Sequence, residues 1–148
     1  MLTIKRLSLS NANILIAGAR AKAEQISIPM CIAITDESGV LIAFERMNGG
    51  KTSSVVIAQD KAFTAAAARK ATHDYNTVNT PGSLAFGIHT EHGGRISSVA
   101  GGVPVFDGDD VVGGIGVSSG TPQQDLDCAL AAIAHFEQSS ARQKVARV

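Results

Sequence analysis

The stretch that most constrains the fold is Gly101 to Asp125, GGVPVFDGDDVVGGIGVSSGTPQQD. Val103 to Phe106 is a short β-prone run. Asp107-Gly108-Asp109-Asp110 supplies the residues that close a tight turn, so Val111 to Ser119 is expected to fold back as the second arm of a hairpin. That arm carries Gly113, Gly114 and Gly116. Glycine inside a strand forgoes side-chain packing, and it usually marks a bulge or a place where another backbone comes close. Gly120 to Asp125 then reads as a helix start, with Thr121 as N-cap and Pro122 at the first helical position. Gln124 would close a capping box, and Asp125 would face the positive helix end.

The rest of the chain supplies the elements that pack on this unit. Ser8 to Gln25 reads as a helix, with Ser8 as N-cap and Leu7 placed for a hydrophobic staple. Ala12, Leu15, Ile16, Ala19 and Ala23 share one face. Gly18 in its middle costs about 1 kcal/mol relative to alanine, so it marks either close packing or a tolerated surface position. Met30 to Ile34 has strand length, and Asp36 to Gly39 turns it into Val40 to Met47, a second hairpin. Thr52 or Ser53 is expected to cap a helix from Ser54 to Ala71, whose Ala65–Ala68 segment has little side-chain volume. Asn76 to Ile88 reads as a short helix or covering loop, and His89 to Ala100 as a glycine-rich loop leading to a short strand at Arg95 to Val99. The last helix is expected over Asp125 to Gln138, followed by a fraying basic tail with Arg142, Lys144 and Arg147. Two hairpins and three helices in this order predict one α+β domain over residues 1–148, built on one antiparallel sheet.

Three separated motifs resemble those of the GlcG/HbpS family, DUF336, which includes the C-terminal domain of PduO-type proteins. They are Gly101 to Val105 with Gly108 to Asp125, the T-D-x-x-G turn at Thr35 to Gly39 with Phe44 to Gly49, and Lys61-Ala62-x-Thr64-Ala65. The resemblance covers roughly residues 3–138. It implies a profilin-like sheet of about five strands flanked by helices, and a small-molecule ligand that in some members is haem or a related tetrapyrrole. Assembly into homo-oligomers, from dimers up to octamers, is implied as well. Haem-binding members are associated with an axial histidine on the N-terminal helix, whereas the first histidine here is His73. Iron ligation would therefore fall to another residue or another subunit, with His73, His89, His92 and His135 the histidines available. The alternative is an enzyme of a catabolic pathway acting on a small carboxylate- or carbonyl-bearing compound.

Charge and composition narrow the partners. Thirteen basic and thirteen acidic residues cancel and aromatic residues are 4%, so neither a phosphate-binding field nor a base-stacking platform for nucleic acid is expected. With 45% hydrophobic and 18% charged residues, some apolar surface is expected to be covered by other copies. No run approaches a membrane span and no secretory signal is recognisable, so a cytoplasmic protein is expected. Cys31 and Cys128 have no C-x-x-C partner and read as buried thiols.

The densest group of reactive side chains is His89-Thr90-Glu91-His92. Two imidazoles flanking a carboxylate suit acid–base work, and His89, Glu91 and His92 are the catalytic candidates if the chain is an enzyme. They read first as a solvated polar loop, then as pocket residues and last, given the weak spacing, as a transition-metal site. Arg46 can hold a carboxylate bidentately. Lys61 is either a partly buried anion binder or half of a surface pair with Asp60. The family motif places Arg46, Lys61 and Thr64 near Gly101 and Gly102, beside Pro104. The two glycines are either an anion-binding backbone nest or a plain turn. These six residues are the ligand-binding candidates. His73 and His135 read as helix-end dipole partners or solvated residues.

Overall fold

The computed structural model describes residues 1–146. Strands β1 (Cys31–Asp36), β2 (Leu41–Arg46), β3 (Gly102–Asp107) and β4 (Asp110–Ser118) form one antiparallel sheet in the order β2-β1-β4-β3. Helices α1 (Leu9–Gln25) and α4 (Pro122–Ala146) cover one face, and α2 (Ser54–Ala68) lies on the other. A further turn, α3 (Glu91–Gly94), is broken by left-handed His92 at φ 51° and Gly93 at φ 67°. The α+β class with a single antiparallel sheet is as expected, but the strands number four, not about five.

The missing strand is Arg95 to Val99. Its backbone bonds go to side chains instead of a ladder: Thr64 Oγ1 donates to the Arg95 carbonyl and accepts from Ser97 N–H, while Thr72 Oγ1 donates to the Val99 carbonyl. Two further expectations fail at helix ends. Neither Thr52 nor Ser53 caps α2 with its side chain; Ser54 and Val55 N–H groups instead donate back to the Lys51 and Thr52 carbonyls. The helix also stops at Ala68, three residues early, because Arg69 adopts a left-handed conformation at φ 57°. At the other end of the chain α4 runs past Gln138, its expected end, to Ala146, carrying Arg142 and Lys144; Arg147 lies outside the described residues.

The capping chemistry read at Ser8 and Thr121 is present. Ser8 and Asn11 form a reciprocal box, and Gln124 N–H donates to Thr121 Oγ1 while Gln124 Oε1 accepts from Thr121 N–H. Ile32, Ile34, Ile115 and Val117 face α1 and α4, packing on Leu15, Ile16, Cys128, Ala129 and Ala132. Burying each large aliphatic side chain contributes about 1.5–3 kcal/mol. The opposite face is thinner. There Cys31, Ala33, Ala58 and Ala62 pack together, and Gly114 and Gly116 of β4 let the α2 backbone sit directly on the strand. A methyl group on Gly116 would collide with the Ala58 carbonyl oxygen, and one on Gly114 with that of Ala62.

The two sheet edges differ. Val117 N–H donates to the Gly101 carbonyl, so alternation along β3 turns Gly102 and Pro104 outward. Gly102 N–H is taken by Thr72 Oγ1 at 3.0 Å, and Pro104 has no N–H to offer. On β2, Met47 N–H donates to the Met30 carbonyl, which turns Phe44 and Arg46 outward with no such seal. Among the described residues no helix is long and apolar enough to cross a membrane.

Candidate functional site

Lys61 rises from the sheet-facing side of α2 and is 1% exposed. Its ammonium donates to Asp125 Oδ2 at 2.8 Å and to the Val117 carbonyl at 3.0 Å. Asp125, in the first turn of α4, uses Oδ1 to accept from Gly120 N–H at 2.9 Å. One ion pair thus ties α2, the end of β4 and the start of α4. Burial pushes the Lys61 ammonium below its ordinary value, and the Asp125 carboxylate opposes that shift. Gly101, at φ 122°, lies against this pair; a methyl there would stand 2.9 Å from Lys61 Nζ and 2.8 Å from Asp125 Cβ. Glycine is required at this position by both conformation and space.

Thr64 is buried one helical turn on, with its hydroxyl engaged by Arg95 and Ser97. Thr72 performs the same service for Val99 and Gly102. The Gly102 N–H is therefore committed within the chain, and Pro104 is buried in β3 opposite Gly114. Arg46 ends β2 opposite Cys31 and is exposed. Lys61, Gly101 and Gly102 are thus brought together in a closed arrangement, while Thr64 is committed to Arg95 and Ser97.

Of the two alternatives for Lys61, the surface pair with Asp60 does not occur. Asp60 Oδ1 receives Arg95 Nε at 3.0 Å instead. The Arg95 guanidinium lies 4.0 Å from the centre of the Phe63 ring, which His92 meets edge-on at 5.4 Å. His89, Glu91 and His92 are all exposed. The two imidazoles answer to different partners, since His89 Nδ1 lies 3.0 Å from Asn79 Oδ1. Among the described residues no group of three His, Cys, Asp or Glu side chains is placed to hold a metal ion. Both cysteines are fully buried, as expected, and burial pushes the thiols up, Cys128 to about 11.

Three residues escaped the sequence reading: Asp125 as the partner of Lys61, Thr72 as a loop staple, and Arg95 as the cation over Phe63. Each joins segments far apart in the chain. Only Asp125 left a local trace, as a carboxylate in a first helical turn. The concave surface lies elsewhere. A groove of about 770 Å³ runs between Leu7, Phe106, Val112 and Phe136, and a shallower one of about 360 Å³ follows the α1–α4 crossing past His135.

Comparison with known proteins adds the following. The family model described as haem degrading protein HbpS-like matches residues 7–134. The corrinoid adenosyltransferase PduO of Salmonella typhimurium is 32% identical over 86% of this chain, which spans only 38% of that enzyme's length. The crystal structure of the Klebsiella pneumoniae DUF336 protein ORFY is similar with a TM-score of 0.91 at 28% identity, covering 93% of this chain and 94% of that one. The PduOC–haem complex is similar with a TM-score of 0.84 at 32% identity, over 88% and 94% of the two chains.

Proposed function

The chain belongs to the HbpS-like family, and from that premise we propose that it is a small-molecule-binding protein whose ligand is haem or a related tetrapyrrole. The observation that carries this reading is the likeness, at 32% identity, to a solved haem complex that aligns over nearly the whole fold. The donor set fits an iron tetrapyrrole through imidazole and not through sulfur. Both thiols are buried and held protonated, whereas the chain has four histidines, of which His89, His92 and His135 are exposed. Bound haem would supply a redox-active iron; the chain would supply the axial donor, the apolar surface and the cation for the carboxylates.

The closed Lys61–Asp125 arrangement supports a structural part for that motif within this reading, since an ammonium 1% exposed and already paired does not reach a ligand. Assembly of several copies belongs to the same reading. Exposed Val56 and Ile57 on α2, with Leu84 and Phe86 on the connecting loop, support it.

Titration of the purified protein with haemin, followed through the Soret band, tests the proposal. A sharp, saturable shift at one haem per chain or per pair of chains is expected. A featureless, non-saturating response would remove the tetrapyrrole reading.

A further inference from the structure

We infer that the open edge of the sheet docks a second copy of this chain, β2 against β2 about a two-fold axis, an assignment that rests on the assembly proposed above. Along β2 the outward N–H and carbonyl groups of Phe44 and Arg46 have no partner among the described residues. No proline stands in Leu41–Arg46 to blunt the strand. The register irregularity at Ile34 and Thr35 takes Ile42 out of step, which leaves Phe44 and Arg46 as the regular bonding positions.

The chemistry of those groups selects the occupant. They require an extended backbone that offers donors and acceptors at alternate residues. The β3 edge of another copy cannot supply it, since Gly102 N–H is taken by Thr72 and Pro104 has none. A second β2 can. Run antiparallel about Glu45, it sets Phe44 of each copy opposite Arg46 of the other, and each such pair exchanges both backbone bonds.

The side chains suit that register. Phe44 and Arg46 lie on the α2 face, opposite Ala33 and Cys31, so exposed Arg46 brings its guanidinium against an aromatic ring across the axis. On the α1 face the two Glu45 carboxylates meet, and bare carboxylates there would repel. Arg20 Nη1 already holds Glu45 Oε2 at 2.6 Å, so each arrives with its charge answered.

Light-scattering mass and residue-resolved amide hydrogen exchange test the contact. The wild type should have the mass of a dimer or a multiple of one. Its Phe44 and Arg46 amides should exchange slowly, as Gly102 does behind Thr72. Glu45→Cys sets two α-carbons about 4.5 Å apart across the axis, within disulfide reach, and should give a covalent dimer on mild oxidation. Asp109→Cys, in the β3–β4 turn, should not, and buried Cys31 and Cys128 do not compete. Arg46→Pro, folded by circular dichroism, should weaken association on the order of tenfold or more, whereas Arg46→Ala, which keeps the N–H, should lose far less. Fast exchange at Phe44 and Arg46 in an assembled wild type, or equal cross-linking by the two cysteine variants, would overturn the edge contact while assembly stood. A cross-link to a chain of another mass would give the edge to a foreign extended segment. A monomer at every concentration would overturn this contact and the proposed assembly together, and would leave tetrapyrrole binding to the haemin titration.

Discussion

Lys61 Nζ and Asp125 Oδ2 lie 2.8 Å apart at 1% and 4% side-chain exposure, joining residues 64 positions apart. Removing one member leaves the other charge buried without a counter-ion, which typically costs about 3–5 kcal/mol. Lys61→Met should therefore lower the unfolding free energy by that amount in urea titration. Lys61→Met/Asp125→Asn should cost less than the sum of the two single changes, because the stranded charge is gone. Strict additivity would mean that water, not the partner, compensates each group.

The contact between β4 and α2 gives a sharper prediction, because no side chain is available to adjust. Gly116→Ala directs a methyl group at the Ala58 carbonyl and should destabilise the protein by about 1–3 kcal/mol or more. Gly108→Ala, in the β3–β4 turn, meets nothing within 4 Å and carries only the strain of φ 63°, so it serves as the control. Equal melting temperatures for the two variants would contradict the close packing.

Acid behaviour should report the N-terminal clamp. Arg6 Nη2 lies 2.6 Å from Glu37 Oε1, and its guanidinium holds the Glu37 carboxyl down at about 2, against an ordinary value of 4.5. A carboxyl depressed in the folded state adds stability that is present above pH 4.5 and is lost as the pH falls towards 2. Arg6→Ala should return the Glu37 carboxyl towards 4.5 in an NMR titration and flatten the acid limb of the stability profile. Because Arg6 is 56% exposed, the effect should shrink at high salt.

The legible parts of the fold were those set by neighbours in sequence. The Ser8 and Thr121 caps and the Asp36–Gly39 turn each act through residues a few positions away, and each is where the pattern puts it; the glycines of β4 marked a close approach by their missing side chains, though its partner α2 lies far along the chain. Asp36 Oδ1 accepts from Ser38 and Val40 N–H, the local bonding that makes aspartate a turn former. What failed was decided at long range. Arg95 to Val99 has strand propensity, but Thr64 and Thr72 occupy its backbone groups. Asp60 sits next to Lys61 in sequence, yet successive residues on a helix point in different directions, and Arg95 reaches it from 35 positions away. Gly18 stayed open between close packing and a surface position for the same reason: its neighbours Ala132 and His135 lie on another helix.

Pro104 and Thr72 together make the sheet one-sided. A strand added beyond β3 would find no donor at Pro104 and an occupied one at Gly102, whereas Phe44 and Arg46 on β2 still present theirs. A sheet that can be lengthened from one margin only terminates after a single joining event. Two such sheets can meet margin to margin, and the result has no open end from which a fibre could grow.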